Sequence, residues 1–325
     1  MRRLAPLLLL IAAAGCSLFL GRYPAPGFAS PGALLADPLG QRLLLDFRLP
    51  RIVAGILLGA SMAAAGTVFQ MVFANPLVEP GFLGVSQGAA FGAALAIVAL
   101  PSSPLVVQAA ALVCALVGLG VSYLAARALR FGGWVLRLVL AGIAVSALFS
   151  AGIGALKLGA DPTGKLPEIT FWLLGGLWSV GWRDVLFLLP PVLAGLLAIW
   201  LFRFRLDLLS LDDRVAHALG AAVDRERLAL LFAATLAAAA AVAVSGLVGW
   251  VGLLAPHAAR RLAGASSRAA LPSAMLLGAT LVLVCDDIAR TALPIELPLG
   301  ILTALVGASA FLVLMASRAA VGSER

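Results

Sequence analysis

Residues 203–227, RFRLDLLSLDDRVAHALGAAVDRER, hold ten charged side chains in 25 positions, inside a chain that is 62% hydrophobic and 12% charged. Long apolar runs flank the stretch on both sides. Ionised groups are costly in hydrocarbon, so the island is expected to stand in water between two membrane-embedded halves. Its pattern is more ordered than that of a plain loop. Leu208, Leu211, Val215 and Leu219 fall on one helical face. Asp212 and Asp213 open the turn, where carboxylates cap free N–H groups and match the helix dipole. Gly220 stands where such a helix stops, and Asp224 starts another. The spacing predicts a short amphipathic helix. Two readings stay open: a polar connector between spans, or a docking element whose apolar stripe needs a partner protein.

The mean hydropathy of +1.09 places the whole chain among all-α polytopic membrane proteins. An outer-membrane barrel alternates apolar and polar residues and lacks apolar runs of helical length, so that class is excluded. The net charge of +8 is read as positive loops on the cytoplasmic side, not as a nucleic-acid footprint. Cys16, Cys114 and Cys285 lie far apart in apolar runs, so neither a disulfide nor a metal site is expected. The first 21 residues have the basic start, apolar core and small-residue stretch of a secretory signal. Because the rest of the chain is mostly membrane, an uncleaved first span is preferred.

Ten spans are expected, at about 4–21, 51–73, 82–100, 105–126, 137–157, 185–202, 228–244, 247–259, 271–288 and 298–316. With the N-terminus inside, fifteen of the 23 Lys and Arg residues fall on the inner side, among them Arg2, Arg3, Arg318 and Arg325. The island is then cytoplasmic. Segments 65–84 and 245–264 are both apolar runs broken by a polar-proline pair, Asn75-Pro76 in the first and Pro256-His257 in the second. Five spans separate them, so the two breaks have opposite orientation, as in the inverted repeats of transporters. Gly55, Gly59, Ala63 and Gly66 form one small-residue series, and Gly142, Ser146, Ser150 and Gly154 another. Both are expected to let helices approach closely, although the second series could line a pathway in a dimer.

No P-loop, HExxH or nucleophile elbow is present, and His217 and His257 are the only histidines. Carboxylates sit in loops or near span ends, as do Asp286, Asp287 and Glu296, and a gradient-driven carrier usually places them near the midplane. The chain is therefore expected to draw its energy from elsewhere. Arg48 and Arg51 precede the second span and Arg290 follows the ninth, all on the outer side. Arginine forks suit an acidic protein surface, and headgroup anchoring is the plainer alternative.

Several stretches together resemble the permease subunits of ATP-binding-cassette importers for iron-siderophore complexes, haem and vitamin B12. They are RLPRIVAGILLGASMAAAGTVFQMVFANPLVEPGFLGVSQGAAFG (48–92), LAGIAVSALFSA (140–151), FWLLGGLWSVGW (171–182), LSLDDRVAHALG (209–220), SGLVGWVGLLAPHAARRLAG (245–264), GATLVLVCDDIAR (278–290) and ELPLGILTALVGASAF (296–311). The resemblance covers essentially the whole chain. It implies one permease domain over 1–325, a homodimer, two ATP-binding subunits that carry ATP and Mg, and a periplasmic substrate-binding protein. It implies no cofactor on this chain. Arg48, Arg51 and Arg290 match positions that pair with glutamates of the binding protein. The 203–227 island matches the coupling helices, and the path runs by the fifth and tenth helices, here near Gly142, Ser146 and Ser150. An inner gate is expected at 131–136. Ser266-Ser267 stand where many members have Asp-His. A metal chelate is the implied cargo, with iron-siderophore or haem ahead of cobalamin. The alternative is an ATP-independent carrier or channel. A membrane-embedded enzyme finds no clustered acid, base or metal set.

Overall fold

The computed structural model describes residues 4–23, 27–101 and 103–322. Arg2, Arg3 and Arg325, three of the charges that orient the chain, lie outside the described residues, as does the side chain of Arg318. The chain starts with α1 (Ala5–Phe19), a two-residue hairpin of β1 (Leu20–Gly21) and β2 (Gly27–Phe28), α2 (Pro31–Ala36) and α3 (Pro38–Arg42). A π-helical turn (Leu43–Arg48) leads into α4 (Leu49–Val72), and a 3₁₀ turn (Pro80–Leu83) into α5 (Val85–Ala99). Next come α6 (Pro104–Ala128), α7 (Trp134–Gly159), α8 (Lys165–Leu174), α9 (Trp182–Leu209), α10 (Asp213–Ala218) and α11 (Val223–Ser245). The last three are α12 (Val251–Ala263), α13 (Ser267–Thr291) and α14 (Leu299–Gly322).

Every expected span overlaps a helix, although the eighth, 247–259, opens in a non-helical stretch and its helix starts at Val251. Six segments among the described residues are long and apolar enough to cross a membrane: Pro38–Val72, which takes in α4, and α6, α7, α9, α11 and α13. The others, α1, α5, α12 and the described part of α14, are shorter. Backbone polar groups have no water to turn to in hydrocarbon, which makes helices the expected solution.

α4 is the axis of the bundle. Eighteen of its 24 residues are buried, and it packs on α13, α11, α12 and α9. The first small-residue series explains how. A Cβ at Gly59 would strike the Gly278 carbonyl of α13, and one at Gly278 would strike the Gly59 carbonyl. A Cβ at Gly66 would strike the Gly252 carbonyl of α12. The backbones are in direct contact, so dispersion over long helix lengths holds the bundle. Ser61 and Thr67 return their hydroxyls to Leu57 and Ala63, which hides two polar groups within α4.

Three sequence-based expectations are corrected. First, α9 runs through Leu209, so Arg203, Arg205 and Leu208 belong to a long helix and the aqueous connector starts only near Ser210. No glycine or proline interrupts 203–209, and the Arg203 guanidinium packs on the Trp200 and Phe204 rings, so the charged residues here do not break the helix. Second, α8 lies between the expected spans 137–157 and 185–202, where no helix was expected. It is held by the fully buried Ile169 and carries Glu168 in its first turn, at the positive end of the dipole.

Third, Pro256-His257 is no break. Pro256 lies inside α12, and the non-helical stretch is 246–250, ending at Trp250 with φ +70. Proline removes the N–H that would satisfy the carbonyl four residues earlier, here Gly252. Gln70 of α4 replaces it, donating Nε2 to the Gly252 carbonyl at 3.2 Å. The other expected break is real. α4 ends at Val72, Ala74 has φ +47, and Asn75 accepts from the Leu77 N–H at 3.0 Å in the turn that contains Pro76.

Gly66→Ala and Gly59→Ala are each expected to cost about 1–3 kcal/mol, as overpacking does. Gly154→Ala, where a Cβ meets nothing within 4 Å, should cost nothing. Thermal denaturation of the purified protein in detergent measures the difference.

Candidate functional site at the two ends of the bundle

Arg48, Arg51 and Arg290 come together although 242 positions separate the first from the last. All three line one cavity of about 330 Å³ with Arg22, Tyr23 and Glu296. Arg51, at the start of α4, grips Asp286 of α13 in a fork, Nε to Oδ2 at 2.8 Å and Nη2 to Oδ1 at 2.9 Å. Its Nη1 reaches Glu296 at 3.2 Å. Arg290 pairs with Asp287 one helical turn back and donates to the Ser17 carbonyl of α1 at 2.6 Å. The Ser17 hydroxyl donates to Asp287 at 2.6 Å. Arg48 donates to the Leu18 carbonyl at 2.6 Å. The end of α1 is thereby tied into the bundle.

These arginines are neither free nor open. Arg48 and Arg290 are buried, and the Arg51 side chain is 12% exposed. An acidic partner arriving here meets guanidiniums that already hold carboxylates or carbonyls. Glu296, 36% exposed, and the exposed Arg22 are the accessible rim. The sequence reading missed Asp286, Asp287 and Glu296 as partners of the arginines. The Asp287–Arg290 spacing of three was a usable signal, whereas Asp286 and Glu296 meet Arg51 only through the tertiary fold.

At the opposite end lies the connector. Asp212 caps α10, accepting from the Arg214 N–H at 2.9 Å. Asp213 instead pairs at 2.6 Å with Arg227, a buried arginine of α11 whose guanidinium also lies 5.4 Å from the Trp134 ring centroid. Gly220 has φ +82, and the chain closes α10 in a Schellman turn, Ala221 N–H to the Ala216 carbonyl and Gly220 N–H to the His217 carbonyl, both 3.0 Å. Ala216 is the inward anchor. Leu211, Val215 and Leu219 are 45%, 48% and 60% exposed, so the apolar stripe faces outward. Leu208 is half-buried on α9.

The remaining candidates divide. A Cβ at Gly142 would strike the Phe82 carbonyl, so Gly142 serves packing against the 3₁₀ turn. Ser146 is half-buried and Ser150 exposed on the same helix, α7. Phe131 and Leu136 of the expected inner gate are both exposed. Ser266 is the N-cap residue of α13, and Ser267 bonds Asp207 of α9 through its N–H and hydroxyl, each at 2.8 Å. Ser267 thus clasps α9 to α13. Where the turn after α4 meets the 246–250 stretch, Glu79 accepts from the Trp250 backbone N–H, and burial holds its carboxyl above the ordinary carboxylate value of 4.5 despite that bond. His257 lies on α12 in the same half as Arg260, which donates to Gln70 at 2.6 Å.

The bundle, its paired polar clusters and its polar connector define a multi-pass helical membrane protein of transport type. The profile of the FecCD transport family matches residues 8–317, and the chain belongs to that family. Similar chains include the molybdate import system permease protein MolB of Haemophilus influenzae, 40% identical over 95% of this chain and 93% of that one. The hemin transport system permease protein HmuU of Yersinia pestis is 40% identical over 82% and 81%. The cobalamin import system permease protein BtuC of Halobacterium salinarum is 38% identical over 90% and 78%. A solved chain of a metal-chelate type ABC transporter in an inward-facing conformation superimposes with a TM-score of 0.89, at 37% identity, covering 97% of this chain and 98% of that chain. The family is one of transport permeases, consistent with ATP hydrolysis on a separate subunit.

Two outcomes test this geometry. Asp286→Ala leaves Arg51 buried without its main partner and should lower stability by about 3–5 kcal/mol, whereas Arg51→Met with Asp286→Leu should recover most of it. Thermal midpoints of the three proteins decide. The second concerns Glu79. A carboxyl whose folded value is raised favours folding fully below its unfolded value, and that contribution is lost as pH rises through the folded value. Glu79→Gln should therefore remove a decline in stability above about pH 4.5 that the unchanged protein shows, read as the difference between the two pH profiles.

Proposed function

We propose that this chain is the membrane-spanning permease subunit of an ATP-binding-cassette importer that carries a metal chelate from periplasm to cytoplasm across the bacterial inner membrane. Residues 1–325 form one permease domain of ten crossings with an inverted repeat and a cytoplasmic N-terminus. Two copies form a homodimer with the path on its axis, near Ser146 and Ser150. Two ATP-binding subunits, which bind ATP and Mg, grip α10 from the cytoplasm. A periplasmic binding protein delivers cargo to the face of Arg48, Arg51 and Arg290, its carboxylates taking the place of the carboxylates and carbonyls that hold the arginines now.

The observation that carries the reading is the outward stripe of Leu211, Val215 and Leu219 on a capped, anchored helix, in a chain of this family. An exposed apolar stripe beside so many charges suits a partner cleft better than open water. The relatives' names speak of molybdate, hemin and cobalamin, and of Fe(3+) dicitrate in an Escherichia coli relative 39% identical to this chain. Iron-siderophore or haem is the proposed cargo, with cobalamin next.

Leu211→Asp, Val215→Asp and Leu219→Asp together should lower the thermal midpoint only modestly, because about half of each side chain is already exposed. The same variant should fail to co-purify with its ATP-binding subunit and should lose uptake in reconstituted vesicles. Undiminished co-purification would remove α10 as the coupling element. For the opposite face, the Arg51→Met, Asp286→Leu protein should lose stimulation of ATP hydrolysis by the binding protein while keeping the basal rate. Full stimulation would remove Arg51 from the docking surface.

A further inference from the structure

We propose that the far end of α9 and the first turn of α13 form a headgroup site for an anionic phospholipid. The site is a stack of two cations and two aromatic rings. The Arg203 guanidinium lies 4.1 Å from the Trp200 ring centroid and 4.2 Å from that of Phe204. The Arg268 guanidinium lies 4.5 Å from the same Phe204 ring. Such contacts hold a guanidinium plane in place and leave its edge N–H groups for other acceptors.

The stack lacks an acid. Among the described residues, no carboxylate stands within ion-pair distance of Arg203 or Arg268. Asp207, one turn on from Arg203, is committed to Ser267, and Glu226 faces Arg205. Arg203 gives one N–H to the Trp200 carbonyl at 2.6 Å. Arg268 stands in the first turn of α13, where the helix dipole is positive and a cation is disfavoured. A bound anion relieves both guanidiniums and the dipole at once.

The place on α9 selects a lipid over a soluble anion. Leu186, Leu193, Leu197, Trp200 and Phe204 follow one helical face, and all five are exposed. The face is apolar for most of its length and turns aromatic, then cationic, only at its last turns. That is the order acyl chain, interface belt, headgroup. Trp200 and Phe204 supply the belt, and the leucines supply the surface against which acyl chains lie.

The full-length chain is placed in nanodiscs of equal phosphatidylglycerol and phosphatidylcholine, and the lipids retained on gentle release are counted by native mass spectrometry. The unchanged protein should retain phosphatidylglycerol in preference, by about fivefold for each guanidinium. Arg203→Gln with Arg268→Gln should abolish the preference. Phe204→Leu, which keeps both charges and a similar volume, should reduce it and serves as the readout should the double variant not fold. Arg214→Gln, an exposed arginine on the same side of the chain but off the stack, should leave the preference intact. Equal retention of the two lipids by the unchanged protein would overturn the proposal. So would an equal loss in Arg214→Gln, displacement of the lipid by 10 mM inorganic phosphate, or a disulfide between two copies of Phe204→Cys.

Discussion

The structure depends on how closely α4 approaches its neighbours. With lipid on the outside, burial of apolar surface gives the helices little reason to associate, and what remains is contact between backbones. Gly59 against Gly278 and Gly66 against Gly252 supply that contact at two heights along one helix. Gln70, one turn beyond Gly66, then meets the carbonyl that Pro256 leaves free. A helix pair held apart by one methyl group would lose both the dispersion contact and this hydrogen bond. The proline in α12 and the glycine in α4 are therefore one device, not two.

From that axis the functional ends take their positions. The first turn of α4 presents Arg51 to Asp286 and Glu296, and the chain beyond its last turn presents Glu79 to Trp250. A displacement of α4 relative to α12 or α13 would thus alter polar contacts at both ends. The 246–250 stretch runs through the bundle without helical hydrogen bonds of its own. It is tolerated because it is packed in protein, with Gly246 and Val248 buried and the Trp250 N–H taken by Glu79.

Much of this was legible before the structure. Apolar runs located the helices, because hydrocarbon leaves the backbone no alternative. Asp212 and Gly220 marked the ends of α10, because capping is local chemistry written in adjacent residues. What was not legible was settled by distant partners. Pro256 read as a break until Gln70, 186 positions earlier, was seen to take up its orphaned carbonyl. Arg51 read as a docking or headgroup group because Asp286 and Glu296, which hold it, lie more than 230 positions away. α8 escaped because ten residues with one buried side chain leave almost no periodic signal. The end of α9 was set too early because charge density was read as aqueous loop, whereas Arg203 packs on Trp200 and Phe204 and the helix continues to Leu209.

The central claim is that the bundle is a passive conduit, set in motion by a separate nucleotide-hydrolysing subunit acting through α10. The most direct measurement is cargo flux into sealed vesicles that contain the purified chain, with binding protein and loaded cargo outside, before and after the ATP-binding subunit and ATP are supplied on the α10 side. The account predicts no flux above leakage in the first state and sustained accumulation in the second. Accumulation by the chain alone, driven by an ion gradient, would contradict it.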